Sequence, residues 1–298
     1  MTQTQGISTQ WTESLGENET PCAISLRAHL LEVHRRHPGF TESCATKCRN
    51  DDGQTSYEWL LDTVDPSQPT SLLDLACGAG YLLNLCHQKL PPASNLVGVD
   101  LSASELSLAR KRLSGTSITL HEGLAQDLSF APSNSFDAVL CHWALTLMSP
   151  VEPVFEEVIR ILRPGGIFAA IVDGATDVAP GYEFVNDLIF QYVQRELPTY
   201  GDQELGDKRT RNPATLHALA ESFSAIDSVQ TETQVFSLKG APRKIAEEAA
   251  GFFYAAFVLP EESRQNLLDE LTEYFAETRS DGASEFLMPI CKLTVVKG

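Results

Sequence analysis

The chain has 298 residues, with 22 basic and 40 acidic side chains and a formal net charge of −18. This length allows one sizeable core with an appended subdomain, and the surplus of acid argues against nucleic acid or an anionic membrane as substrate, since both need a basic footprint. No apolar run approaches a membrane span, residues 1–6 lack the basic and apolar regions of a signal peptide, and seven cysteines read as free thiols of a cytoplasmic protein.

Residues 1 to about 20 are rich in Gln, Thr, Ser and Glu and read as a loose arm. Over 23–37, Ile24, Leu26, Leu30, Leu31 and Val33 make one apolar helical face, stopped by Pro38-Gly39. His29, His34 and His37 on or near this helix read as structural histidines. Cys44 and Cys48 are four apart but have no second pair at ligand spacing, so no metal site is expected. Residues 55–62 begin like a capped helix with an aromatic face carrying Tyr57 and Trp59.

The central stretch is Ser71-Leu72-Leu73-Asp74-Leu75-Ala76-Cys77-Gly78-Ala79-Gly80-Tyr81, an apolar strand feeding a small-residue turn and then a helix. Such a turn leaves backbone N–H groups around a cavity at the strand's carboxyl end, and Gly78 and Gly80 let the backbone turn and approach a ligand. A dinucleotide fingerprint fails here, because its third glycine is Leu83. Asp74 would repel a pyrophosphate but suits an ammonium or sulfonium charge. A second strand over 95–100 ends in Asp100, placed to accept hydrogen bonds from both ribose hydroxyls. Together these features describe a nucleoside with a cationic tail, as in S-adenosylmethionine, and disfavour NAD.

A helix follows to about Leu113, then a strand over 117–121 and the turn Gly123-Leu124-Ala125-Gln126-Asp127-Leu128. The next strand, Phe136-Asp137-Ala138-Val139-Leu140-Cys141, has His142 at its mouth. An amphipathic helix over 151–162, the turn Leu162-Arg163-Pro164-Gly165-Gly166 and a strand over 167–172 complete an alternation that gives a parallel sheet. Beyond Asp173 come an aromatic helix over 182–193, a polar loop over 201–211, and a helix capped by Asn212 with Pro213 at its first position. A strand over 229–238, helices over 243–258 and 261–278, and a last strand over 286–296 follow. The aromatics of these late helices read as a packed cap.

Residues 72–82 and 97–106, with the three later motifs quoted above, resemble class I S-adenosylmethionine-dependent methyltransferases. The resemblance covers about 57–175 and is nearest the branch of ubiquinone/menaquinone C-methyltransferases and natural-product methyltransferases. It implies an α/β, Rossmann-like, seven-stranded, mostly parallel sheet with helices on both faces and a helical cap or lid. It divides the chain into an N-terminal arm with lid helices (1–56), a cofactor-binding core (57–175), and cap helices with the last two strands (176–298). The implied cofactor is S-adenosyl-L-methionine and the implied product S-adenosyl-L-homocysteine.

By the same resemblance the cofactor would meet Asp74, Ala76 (standing where the family has its first glycine), Gly78, Gly80, Asp100 and Leu101. Adenine would lie beside Leu124, Ala125 and Gln126. Leu124 replaces the family's usual acid, so Gln126 or Asp127 would serve in its place. Cys141 ends the fourth strand, where donor and acceptor meet, and Tyr57 either covers the methionine moiety or packs the core. His142 is the candidate general base or else lines the cofactor, and Tyr182 is a second catalytic candidate. The expected acceptor is a small molecule of natural-product metabolism, enclosed by the helical flanks. The alternative is a relative that keeps the pocket for a non-methylating reaction such as cyclisation, or for ligand binding alone.

Overall fold

Short apolar runs form the central strands of one sheet in a computed structural model, which describes residues 6–201, 205–278 and 283–298. The strands are β1 (Ser71–Leu75), β2 (Asn95–Asp100), β3 (Thr119–Glu122), β4 (Phe136–His142), β5 (Leu162–Asp173), β6 (Ile226–Gly240) and β7 (Ser284–Lys297), in the order β3-β2-β1-β4-β5-β7-β6. β1 runs parallel to β2 and β4, β2 to β3, and β4 to β5, whereas β7 is antiparallel to β5. This is the seven-stranded, mostly parallel α/β sheet that the resemblance implies.

The chain forms two units. One comprises residues 54–175, 205–234 and 290–298, the other 1–53, 176–204 and 235–289. The first holds β1 to β5 and a core in which Leu73, Val99, Val139 and Phe168 of the strands pack with Phe155 of the helix Glu152–Ile161. Its crossover helices start where the sequence carries caps. Ser102 accepts from the Glu105 amide ahead of Ala103–Arg112, and Asn212 caps Pro213–Glu221 with Pro213 in its first turn.

The second unit corrects one expectation. Residues 10–16 are not a loose arm but a helix, Gln10–Gly16, with Trp11 and Leu15 fully buried; residues 1–5, including most of the stretch read for a signal peptide, lie outside the described residues. Ile7, Trp11 and Leu15 recur every four residues and so share a helix-spaced stripe. The stripe packs within the unit: Ile7 lies against Val33 and Phe257, and Trp11 meets His29 and Tyr200. The long helix expected over 243–258 breaks at Phe253 into Pro242–Phe252 and a 3-10 turn, Tyr254–Val258, whose Tyr254 and Phe257 pack on Phe40. His34 bonds the Tyr254 hydroxyl and His37 packs on Phe257, in keeping with structural histidines. Among the described residues no helix is long and apolar enough to cross a membrane.

Candidate active site

The carboxyl ends of β1, β2 and β4 meet in the first unit. After Leu75 the chain turns through left-handed conformations at Ala76 (φ +59°), Gly78 (φ +50°) and Gly80 (φ +79°) before the helix Tyr81–Lys89 begins. The turn is pinned to β2, since the Gly78 amide donates to Asp100 Oδ2 at 2.8 Å and the Cys77 amide to the Val99 carbonyl at 3.0 Å. The other carboxylate oxygen, Oδ1, accepts from the Ser102 amide at 2.7 Å. Asp100 thus fixes the turn after β1 and the start of the next helix at once.

The two glycines serve different ends. A Cβ on Gly80 would lie 3.1 Å from both the Ala109 Cβ and Leu113 Cδ1, so this glycine permits close packing on the neighbouring helix rather than ligand approach. A Cβ on Gly78 would meet nothing nearer than Glu105 Oε2 at 3.9 Å, so its requirement is the backbone conformation. Gly98 also proves tightly placed: a Cβ there would fall 2.8 Å from Cys77 Sγ and 2.6 Å from Leu83 Cδ1.

The electrostatics are negative. Asp74 and Glu105 are buried around the turn. The Cys77 thiol between them is held well above its ordinary pKa, first by burial and then by the carboxylates of Asp74, Asp100 and Glu105. Such a field favours a cation and opposes a pyrophosphate.

A second cluster lies at the mouth of β4. A capping box at Thr55 and Glu58 fixes the first turn of the helix Ser56–Leu61. Its first two residues then reach His142. Ser56 Oγ lies 2.9 Å from His142 Nε2, and the Tyr57 ring stacks on the imidazole with centroids 3.5 Å apart at 18°. Burial holds the His142 pKa well below its ordinary value, so the ring is neutral near pH 7. The next residue, Trp143, is left-handed at φ +58°. A bulky residue there is an outlier that its surroundings must enforce.

The remaining candidates divide by exposure. Ala76, Gly78, Asp100, Leu101, Leu124, Ala125, Gln126 and His142 are half-buried, whereas Tyr57, Asp74, Gly80 and Cys141 are buried. The Cys141 thiol sits in the core with its pKa pushed up to about 12 by burial and Asp74, so that position can offer a ligand only its backbone. The turn at 124–127 is tied to the helix Glu152–Ile161, where Glu157 accepts from the Leu128 amide and pairs with Arg160. Tyr182 belongs to the other unit, buried against Phe253 and Phe286. The structure therefore brings His142 and Tyr57 together within one unit.

Sequence reasoning missed two partners, Ser56 and the segment after residue 204. The latter was read as part of a polar loop, of which 202–204 lie outside the described residues. Asp207 donates its amide to the Met148 carbonyl, and Arg211 pairs with Asp173 at the end of β5 while donating to the Thr146 carbonyl. The run Gly206-Asp207-Lys208-Arg209-Thr210-Arg211 carried the signal, a glycine next to alternating charges.

Residues 73–170 match a family model described as a methyltransferase domain. A demethylmenaquinone methyltransferase of Symbiobacterium thermophilum is 36% identical over 131 residues, 43% of this chain and 50% of that protein. One of Listeria welshimeri is 27% identical over 209 residues, 67% of this chain and 79% of that protein. The chain thus spans about half the length of the first relative and about four fifths of the second. The YcgJ protein of Bacillus subtilis shares the fold with a TM-score of 0.55 at 18% identity, over 81% of this chain and 97% of that one. Residues 73–170 are thus a methyltransferase domain of the S-adenosylmethionine-dependent type.

The methyltransferase cofactor, S-adenosylmethionine, fits the residues present. Asp100 Oδ2 and Oδ1 accept the Gly78 and Ser102 amides, and a carboxylate oxygen has a second lone pair with which to accept from a ribose hydroxyl. The left-handed turn leaves its half-buried face at Ala76 and Gly78 available, and the buried acids of this methyltransferase match a sulfonium charge.

Proposed function

We propose that the protein transfers the methyl group of S-adenosylmethionine to a small-molecule acceptor of natural-product metabolism. The observation that carries this reading is Asp100, whose carboxylate holds the β1 turn through Gly78 and the next helix through Ser102. In it Asp100 bonds the ribose, Ala76, Gly78 and Leu101 line the nucleoside, and Leu124, Ala125 and Gln126 border adenine. Asp74 supplies buried negative charge on the methionine side, and Gly80 holds the turn against its helix.

The sulfonium supplies a good leaving group, so the chain's own work is alignment, exclusion of water and, for a protonated acceptor, proton removal. His142 is the base. If its Nε2–H donates to Ser56 Oγ, the lone pair resides on Nδ1 and that atom takes the acceptor proton. Tyr57 fixes the ring plane by stacking, and Cys141 contributes backbone only.

Calorimetry with S-adenosylmethionine, S-adenosylhomocysteine and NAD tests the cofactor, with binding of the first two expected. A turnover screen against aromatic, amine, polyketide and demethylmenaquinone acceptors, read as S-adenosylhomocysteine release, tests the reaction. Cofactor binding without turnover on any acceptor class would favour the non-methylating alternative, and NAD binding alone would remove the reading.

A further inference from the structure

In the unit comprising residues 1–53, 176–204 and 235–289, three sulfur atoms meet. Cys44 Sγ lies 3.6 Å from Cys48 Sγ, and the two thiols lie 3.7 and 3.6 Å from Met288 Sδ. The spacing of the cysteines follows from the end of the helix Phe40–Ala45, where the Cys48 amide bonds the Cys44 carbonyl at 3.1 Å. The third sulfur comes from β7, some 240 residues later. All three side chains are buried.

We propose that Cys44, Cys48 and Met288 form a binding site for one soft monovalent metal ion, of which cuprous copper is the species that fits. The triangle is nearly equilateral. Dividing a side of about 3.6 Å by the square root of three puts its centre about 2.1 Å from each sulfur, close to the metal–sulfur distance of about 2.3 Å. An outward shift of about 0.2 Å per sulfur therefore seats the ion. Two thiolates and a thioether are the soft set that selects Cu(I). Zinc wants four ligands, and among the described residues no group of three or more His, Cys, Asp or Glu is arranged to hold a metal.

The surroundings favour the charge that results. Binding breaks two S–H bonds, forms three copper–sulfur bonds and releases two protons to solvent, so the complex carries one negative charge and copper stays cuprous. Arg49 lies beside it, its guanidinium donating to the carbonyls of Cys48 and Thr46 at 2.9 and 2.7 Å. The Arg49 backbone pairs both ways with Ser237, which anchors the turn. Lys47, one residue from Cys48, is paired with Glu248, so Arg49 is the cation on which the argument rests.

The test is an anaerobic Cu(I) titration of the reduced full chain in a Cys22→Ser background, which removes the exposed thiol, against a colorimetric Cu(I) chelator. One equivalent should be retained, with x-ray absorption giving three sulfur neighbours at about 2.3 Å. Met288→Leu, of similar volume, should weaken retention at least tenfold, and Cys44→Ser should abolish it. Should Met288→Leu fail to fold, Cys48→Ala serves in its place. Loss of all copper from the unmutated trio, equal retention by Met288→Leu, or tighter retention of zinc would overturn the proposal.

Discussion

The Tyr57 ring lies parallel to the His142 imidazole at 3.5 Å, so one face of the candidate base is covered by a residue from the helix ahead of β1. The same helix supplies Ser56 to Nε2. The imidazole is therefore held in plane by one residue and tethered at Nε2 by its neighbour.

Ser56→Ala should lower kcat several-fold, corresponding to about 1 kcal/mol for one lost hydrogen bond, with cofactor affinity unchanged. His142→Ala should cost far more, up to the 10²- to 10⁴-fold range of general base catalysis. Because the His142 pKa is held well below its ordinary value, kcat/KM should stay flat as pH falls through 6.5. Steady-state kinetics across pH 5 to 8 checks both. A rate falling with midpoint near 6.5 would show an ordinary, unshifted histidine as the base or none of these groups.

Asp100→Ala should weaken S-adenosylmethionine by a few kcal/mol, since hydrogen bonds to a charged acceptor contribute about 1.5–3 kcal/mol each. It should also loosen the turn, because the Gly78 and Ser102 amides lose their acceptor. Calorimetry and denaturant unfolding read the two losses separately. Unchanged cofactor affinity would mean that the ribose is held elsewhere.

Ala76→Gly should stabilise the protein slightly. A left-handed non-glycine costs about 1–2 kcal/mol, against about 0.5–1 kcal/mol of extra backbone entropy lost by glycine. The expected net gain is under about 1 kcal/mol at Ala76, where φ is +59°. A lower denaturation midpoint would show that the Ala76 methyl makes packing contacts that outweigh its conformation.

Acid should weaken the second unit through His29. This ring is fully buried, stacks on Trp11 and bonds Thr9 Oγ1 through Nδ1. Burial lowers its pKa to about 4 from 6.5. The unfolded chain therefore binds the proton first as pH falls, so stability is full above 6.5 and is lost between there and about 4, by about 3 kcal/mol at most. Unfolding of His29→Phe should show a shallower decline over that window, and an identical decline would assign the acid sensitivity to other groups.

The succession of strands around the glycine turn was legible because short apolar runs alternate with helical segments. The cofactor type was legible because Asp74 and Asp100 sit at fixed positions after apolar runs. The first helix was not, although Trp11 and Leu15 lie four apart on one face, because the polar residues around them outweigh two apolar ones in composition. Gly80 misled: its sequence position suits ligand approach, while its space is filled by Ala109 and Leu113. Trp143 was beyond reach, since a left-handed tryptophan contradicts local preference and is set by the strands around it. The Cys44–Cys48–Met288 contact depends on a pairing across most of the chain, which spacing alone does not reveal.

The sheet order carries a consequence for synthesis. β6 lies at the edge and its one sheet neighbour is β7, which is made last of the seven strands. Throughout translation of the intervening residues β6 therefore has an open edge, and β5 too lacks its partner on that side. The five parallel strands can assemble on the ribosome, but the far side of the sheet closes only when residues 284–297 have emerged. A nascent chain stalled before residue 284 would therefore leave β6 open to pairing with other strands.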